Sequence, residues 1–390
     1  MIHEQLSLFL VVLGVAIIPF LARRFSLPSA ALEIVYGVLL FNTLISGHPD
    51  WFELLRELGF IYLMFIAGLE LDLRSVRKSG KTPWYVLISL LSFSVTPLLF
   101  IAFGQPFFLG VAVAMISAGV AIPVLKELGL NRTPLGRDII GVALTGELLS
   151  ILVLTVIDAY QKHGLSWRAG LELGKLALLF GMALLVLRLL YLLAWWHPER
   201  VEKVMESEDP VEEGVRTVVV VAFGGGLLAA AAGAEPILGS FLAGMAFSHV
   251  FRSMGRFEEK LNALGFGFLI PFFFIGVGAQ LDLQLVTSPL IVVTALALAV
   301  MVLVSNLYPL LLVRPLRLTF REAAAMAVLL SAPLSMIVVA GTLGKRMGLI
   351  SDVLSAALIL TALVASVVYP SLFRLLARHL PARAVDKSPF

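Results

Sequence analysis

Residues 117–129 read SAGVAIPVLKELG and residues 331–344 read SAPLSMIVVAGTLG. Each stretch opens on a Ser-Ala pair and carries a proline inside a run otherwise apolar enough to cross a membrane. Proline removes a backbone donor and clashes with the preceding turn, so both runs are expected to break midway. Ser117, Ala118, Gly119 and Pro123 mark one break, and Ser331, Ala332, Pro333 and Ser335 the other. Broken backbone at membrane depth is tolerated only where protein or a wet cavity satisfies the freed groups. Two such breaks at matching places point to half-helices crossing around a central ion site; prolines that merely kink packed helices are the plainer alternative.

The rest of the chain suits that setting. Of 390 residues 59% are hydrophobic and 14% charged, and the mean hydropathy is +0.99. A water-soluble domain rarely has this composition, and repeated apolar stretches of membrane-crossing length define an all-α polytopic membrane protein. Thirteen transmembrane helices are expected, at 5–22, 29–46, 53–73, 83–104, 107–127, 137–160, 168–195, 213–233, 235–251, 260–280, 286–313, 320–345 and 351–379. The first keeps its place as a span: it lacks the basic start and small-residue cleavage site of a signal peptide. The two broken runs are then the fifth and twelfth spans.

The loops test the count. Taken alternately, one set of loops holds most of the 29 Lys and Arg; only Arg56, Lys162, Arg168, Lys175, Lys345 and Arg346 fall in the other, and Arg188 lies within the seventh span. By the positive-inside rule the richer set is cytoplasmic, which puts the N-terminus outside and the C-terminus inside. The net charge of +3 therefore reflects membrane orientation. No basic patch interleaved with aromatics occurs, so no nucleic-acid partner is expected. The absence of cysteine excludes disulfides and cysteine metal sites.

The two halves of the chain echo each other. GLELDL at 68–73 matches GAQLDL at 278–283, Leu58-Gly59-Phe60 matches Leu264-Gly265-Phe266, Pro28 matches Pro236, and Ser117 matches Ser331, all at nearly one spacing. Spans 1–6 thus pair with spans 8–13. Seven spans separate equivalents, an odd number, so the halves face opposite ways: an inverted-topology repeat, as in many secondary transporters. The expected organisation is a first repeat at 1–160, a linker helix and cytoplasmic loop at 161–212, a second repeat at 213–379 and a cytoplasmic tail at 380–390.

Glu147 lies ten residues into the sixth span, about 15 Å deep and near the midplane of a ~30 Å hydrocarbon core. Glu70, Asp72, Asp158, Glu235 and Asp282 fall at span ends, and Glu33 only a turn inside the second span. No Lys or Arg sits near the middle of spans 5, 6, 12 or 13. An acid so placed is costly and is a functional candidate; a permanently protonated Glu bonded to a carbonyl is the alternative. Ala143, Gly146 and Ser150 make one side of its helix small, which lets a neighbour approach closely. Its counterpart in the second half is Thr361, which is neutral. One carboxyl that holds either a proton or a monovalent cation, opens alternately to each side and cannot reorient empty would exchange the two. Thr145, Ser150, Ser117, Ser331 and Ser335 offer hydroxyls, and Ala118, Gly119 and Gly146 backbone, to surround a hard cation.

LPSAALEIVYGVLL, MFIAGLELDL, VLKELGLNRTPLGR, ILGSFLAGMAF and PFFFIGVGAQLDL, spread over nearly the whole chain, resemble the Kef-like and NapA-like branch of the cation:proton antiporters, which share the NhaA-type fold. The resemblance implies a homodimer in a bacterial or archaeal plasma membrane, a core domain carrying spans 5, 6, 12 and 13, and elevator-type movement of that core. It gives Glu147 the role of the ion-binding acid, with Na⁺ or K⁺ and H⁺ as the ions and no cofactor. The family's first polar position falls on Gly146, and its basic residue near the second break is replaced within SAPLSM, which suits electroneutral one-for-one exchange. No nucleotide-sensing domain is expected, since the chain ends at Phe390.

Other features carry less. His3, His48, His163, His197, His249 and His379 lie at span ends or in loops and read as surface histidines. HPERVEKVMESEDPVEEG reads as a solvated linker, and Gly224-Gly225-Gly226 as a close helix contact. No Ser-His-Asp set converges, and one deep acid does not make an aspartyl protease, so no enzyme activity is expected. The rivals are a proton-coupled organic-anion symporter on the same fold and a gated channel or non-transporting sensor.

Overall fold

A computed structural model describes residues 2–70 except 26, 46 and 48; 80–164 except 132; 213–231; 236–250; 255–286 except 282; and 288–378. Apart from six isolated positions between 170 and 185, the seventh predicted span lies outside the described residues, as do the 196–212 loop, Asp72, Glu235, Asp282, His48, His197, His379 and the tail from 380. So do the side chains of His3, Glu70, His163 and His249.

Regular structure among the described residues is helical throughout. In chain order the helices are α1 Ile2–Phe25, α2 Ser29–Thr43, α3 Asp50–Glu70, α4 Thr82–Ala102, α5 Phe107–Val113, α6 Ala121–Glu127, α7 Pro134–His163, α8 Glu213–Ala231, α9 Pro236–Val250, α10 Gly255–Leu264, α11 Ile270–Ala279, α12 Leu283–Val286, α13 Pro289–Ser305, α14 Val313–Leu316, α15 Phe320–Leu330, α16 Leu334–Arg346 and α17 Asp352–Ala377. A π turn, Gly265–Leu269, joins α10 to α11. A helix or a pair of half-helices stands at each predicted span other than the seventh. Seven helices among the described residues are long and apolar enough to cross a membrane, or eight if α15 and α16, bent by 42°, form one span. α2 and most of α9 are shorter but apolar.

The chain divides into two compact units, 1–73 with 155–280, and 74–154 with 281–390. Each takes segments from both halves of the chain, so the halves that echo in sequence are not the compact units.

In the first unit α9 packs on α3, α11 on α2, and α8 on α9. Glycines make these contacts backbone to backbone. A Cβ on Gly37 would lie 2.0 Å from the Ile275 carbonyl oxygen, and one on Gly278 2.0 Å from that of Ile34. Gly225 and Gly239 meet in the same reciprocal way, as the sequence reading of the Gly224–Gly226 run anticipates. In lipid there is no hydrophobic drive between helices, so such close approach and the dispersion it allows supply the packing.

In the second unit α17 packs on α13, α15 and α16, and α4 packs on α5. Thr319 and Glu322 form a capping box at the start of α15, which accounts for one buried acid. Ser351 caps α17 by accepting from the Leu354 N–H. These caps satisfy donors that a helix end leaves without intrahelical partners.

Candidate functional site

Both predicted breaks are present, and each has a local cause. α5 stops at Val113, and residues 114–120 are unwound before α6 begins at Ala121. Pro123 is not at the centre of that gap; it sits in the first turn of α6, where its missing N–H leaves no intrahelical bond unmade. The second break spans Ser331 to Pro333, and Pro333 is the N-cap of α16 with ψ 59°.

Unwound backbone inside a membrane needs partners, and side chains of three helices supply them. The Ser92 hydroxyl of α4 lies 3.2 Å from the Ala114 carbonyl. The Ser305 hydroxyl at the end of α13 lies 3.1 Å from that of Val113. Ser150 of α7 accepts from the Ile116 N–H at 3.2 Å, and its hydroxyl is 3.2 Å from the Ile116 carbonyl. The Ile116 side chain lies over Gly146, where a Cβ would fall 2.6 Å from the Cβ of Ile116. The small residues read from the sequence on this face of α7 thus seat the unwound strand against it.

Glu147 projects into the same gap from the middle of α7 and is 2% exposed. Ser117 Oγ donates to its Oε1 at 3.0 Å, and the Ala118 N–H donates to its Oε2 at 3.3 Å. Ser117 Oγ is also 3.0 Å from Ser335 Oγ, which comes from the first turn of α16, and it accepts from the Gly119 N–H at 3.3 Å. The two breaks therefore meet through Ser117 and Ser335, with the carboxyl beside them. Gly119 is exposed and Ser335 half-buried, so the hydroxyls run from the buried carboxyl toward an accessible edge of this unit.

The expected residues divide into three groups. Glu147, Ser117, Ala118, Gly119 and Ser335 converge. Gly146 and Ser150 stand one step back and hold the unwound strand. Thr145 and Ser331 turn their hydroxyls onto their own helices, Thr145 to the Gly141 and Val142 carbonyls and Ser331 to that of Ala327. Ser92 and Ser305 were missed by the sequence reading; hydroxyls inside apolar spans were the signal, but neither lies near a break in sequence. Thr361, the position the sequence reading matches to Glu147, is fully buried, with its hydroxyl 2.7 Å from the Ala357 carbonyl of its own helix and 3.1 Å from that of Ala295.

The other buried acids differ. Asp138 pairs with Lys81 and Asp158 with Lys162, both at 2.7 Å. Glu33, expected only a turn inside its span, is nonetheless 3% exposed. Among the described residues no three acids or histidines gather that could hold a metal. The setting of Glu147 is one carboxyl, two hydroxyls and backbone, which can hold a proton or offer oxygens to a partly hydrated monovalent cation.

The profile of the family described as "Sodium/hydrogen exchanger, transmembrane" matches residues 9–379. YjbQ of Bacillus subtilis (strain 168), named for Na⁺/H⁺ antiport, is 30% identical over 97% of this chain, which spans 64% of that protein's length. A Na⁺/H⁺ antiporter of Enterococcus hirae is 28% identical over 75% of this chain and 76% of its own. The structure of the sodium proton antiporter MjNhaP1 from Methanocaldococcus jannaschii at pH 8 superposes with a TM-score of 0.71, covering 98% of this chain and 99% of that one at 16% identity.

Proposed function

The chain belongs to the sodium/hydrogen exchanger transmembrane family, and from that premise we propose that it exchanges Na⁺ for H⁺ across the membrane with Glu147 as the shared site. The observation that carries this reading is the Glu147 carboxyl, 2% exposed and bonded by the Ser117 hydroxyl and the Ala118 N–H of an unwound segment. A bare charge there is prohibitive, so the site turns around only when loaded with a proton or a cation. Loss of the proton frees the carboxylate, and Ser117, Ser335 and backbone oxygens complete the shell of the incoming ion. One carboxyl per cycle makes exchange one for one and electroneutral.

The architecture proposed with it is thirteen spans in an inverted repeat, 1–160 and 213–379 about a linker at 161–212, with the N-terminus outside, the C-terminus inside and a homodimer as the working form. The unit carrying Glu147 is the moving part of an elevator. Relatives named for sodium favour Na⁺ over K⁺.

Proteoliposome flux tests this. An inward Na⁺ gradient is expected to drive proton efflux without generating a membrane potential, and Glu147→Gln to abolish it. A variant that exchanges as fast as the parent removes Glu147 from the site. Flux driven by K⁺ alone changes the ion, a current with no proton movement indicates a channel, and flux that needs an organic anion indicates the symporter.

A further inference from the structure

At the foot of the helix that carries Glu147 three segments of the second unit are tied by a charge cluster. Lys81, the residue before α4, places Nζ 2.7 Å from Asp138 Oδ2 on α7 and 2.8 Å from the Leu316 carbonyl at the end of α14. Tyr85 on the first turn of α4 donates to Asp138 Oδ1 at 2.6 Å. Asp138 is 3% exposed and Tyr85 1%. The Tyr85 ring packs against α7 one turn further along, where a Cβ on Gly141 would fall 2.4 Å from its Cε2. The next residue after Leu316, Arg317, has φ 54° and is the one non-glycine residue in the left-handed region among the described residues.

Packing alone calls for neither device. A buried ion pair adds little to stability, because desolvation offsets the attraction, and apolar residues of similar volume often serve as well. A left-handed non-glycine residue costs of order 1–3 kcal/mol and persists where its surroundings require it. What the pair does supply is direction: a two-pronged carboxylate held by an ammonium and a phenol has one rotational setting and one axial setting. Asp138 stands nine residues before Glu147, about two and a half turns along a rigid helix. At the other end of that stretch Ser150 and Gly146 seat the unwound strand.

We propose that Lys81, Asp138 and Tyr85 are positioning residues for ion exchange: they set the rotation and height of α7 so that the Glu147 carboxyl meets Ser117 and Ala118. This rests on the exchange reading above. The cluster acts through α7 and touches no ion itself.

The decisive variant is Lys81→Met with Asp138→Asn, which removes both charges together and leaves neither buried alone. Parent and variant are compared in proteoliposomes for half-saturating Na⁺ and the pH of half-maximal exchange, and in detergent for melting temperature. The expected result is a variant that melts near the parent yet needs about five-fold more Na⁺, with its pH profile displaced. Parent-like saturation and pH profile overturn the proposal whatever the melting temperature, since the cluster is then a fastening only. Should the double variant fail to fold, Tyr85→Phe decides: it removes one hydrogen bond without stranding a charge, and a smaller shift in the same direction supports the proposal where no shift overturns it. A parent showing no Na⁺-driven proton flux overturns both this proposal and the exchange reading, whereas an active parent beside an indistinguishable variant overturns positioning alone.

Discussion

Glu147 and Ser117 form the smallest unit of the site. A hydrogen bond to a charged group contributes about 1.5–3 kcal/mol, so Ser117→Ala is expected to raise half-saturating Na⁺ about ten-fold or more. Ser335 reaches the carboxyl only through Ser117, and Ser335→Ala should have the smaller effect. Sodium titration of proton flux ranks the two; a larger loss at Ser335 would make it a direct ligand of the ion. Thr145 and Ser331 spend their hydroxyls on their own helices. Composition could not separate these groups: a hydroxyl in an apolar helix bonds a carbonyl three or four residues back, and whether it also meets a neighbouring element, as those of Ser150 and Ser305 do, depends on what lies opposite. Gly146 shows the same limit. Its place beside the acid was plain, but only the Ile116 side chain over it explains why no larger residue fits.

Between elements, close approach does the work that apolar burial does in water. Gly37 and Gly278 meet backbone oxygens that have no side chain to swing aside. Gly37→Ala is therefore expected to destabilise by about 1–3 kcal/mol, read as a lower melting temperature in mild detergent. Gly224→Ala is the matched control: nothing lies within 4 Å of its Cβ position, and alanine suits a helix better. Equal effects from the two would mean that the seam between α2 and α11 yields more easily than its geometry implies. The unwound strand at 114–120 follows the complementary rule. Its freed groups are met by Ser92, Ser150 and Ser305, one from each of α4, α7 and α13, so the break belongs to the second unit rather than to its own helix.

For the whole molecule the alternation of basic loops makes a claim about every span at once. The chain contains no cysteine, so a single introduced one reports alone. Cysteines at Gln105 and Arg346 are expected to react with an impermeant maleimide from outside intact cells, and cysteines at Leu128 and Arg314 only after permeabilisation. Labelling of Leu128 and Arg346 from the same side would break the inverted repeat, since these positions close the two broken spans. The compact units are not the two halves that echo in sequence: one unit joins the first part of each half, and the other the later part of each. A repeat is visible in sequence because it is a spacing, whereas a compact unit is a set of contacts between segments far apart in the chain.

Sequence alone determined what local chemistry and counting can decide: a helical membrane protein, the places where two helices break, and an acid, Glu147, in the middle of an apolar helix. Proline, hydropathy and charge act on their own stretch of chain, so their signals survive without a fold. Tertiary structure alone decided that Ser117 and Ser335 meet beside Glu147, that Ser92 and Ser305 sustain the break, and that Lys81 reaches Asp138 across 57 residues. Those partners are set by the direction of side chains across packed helices, and a one-dimensional pattern holds no record of which faces turn toward one another.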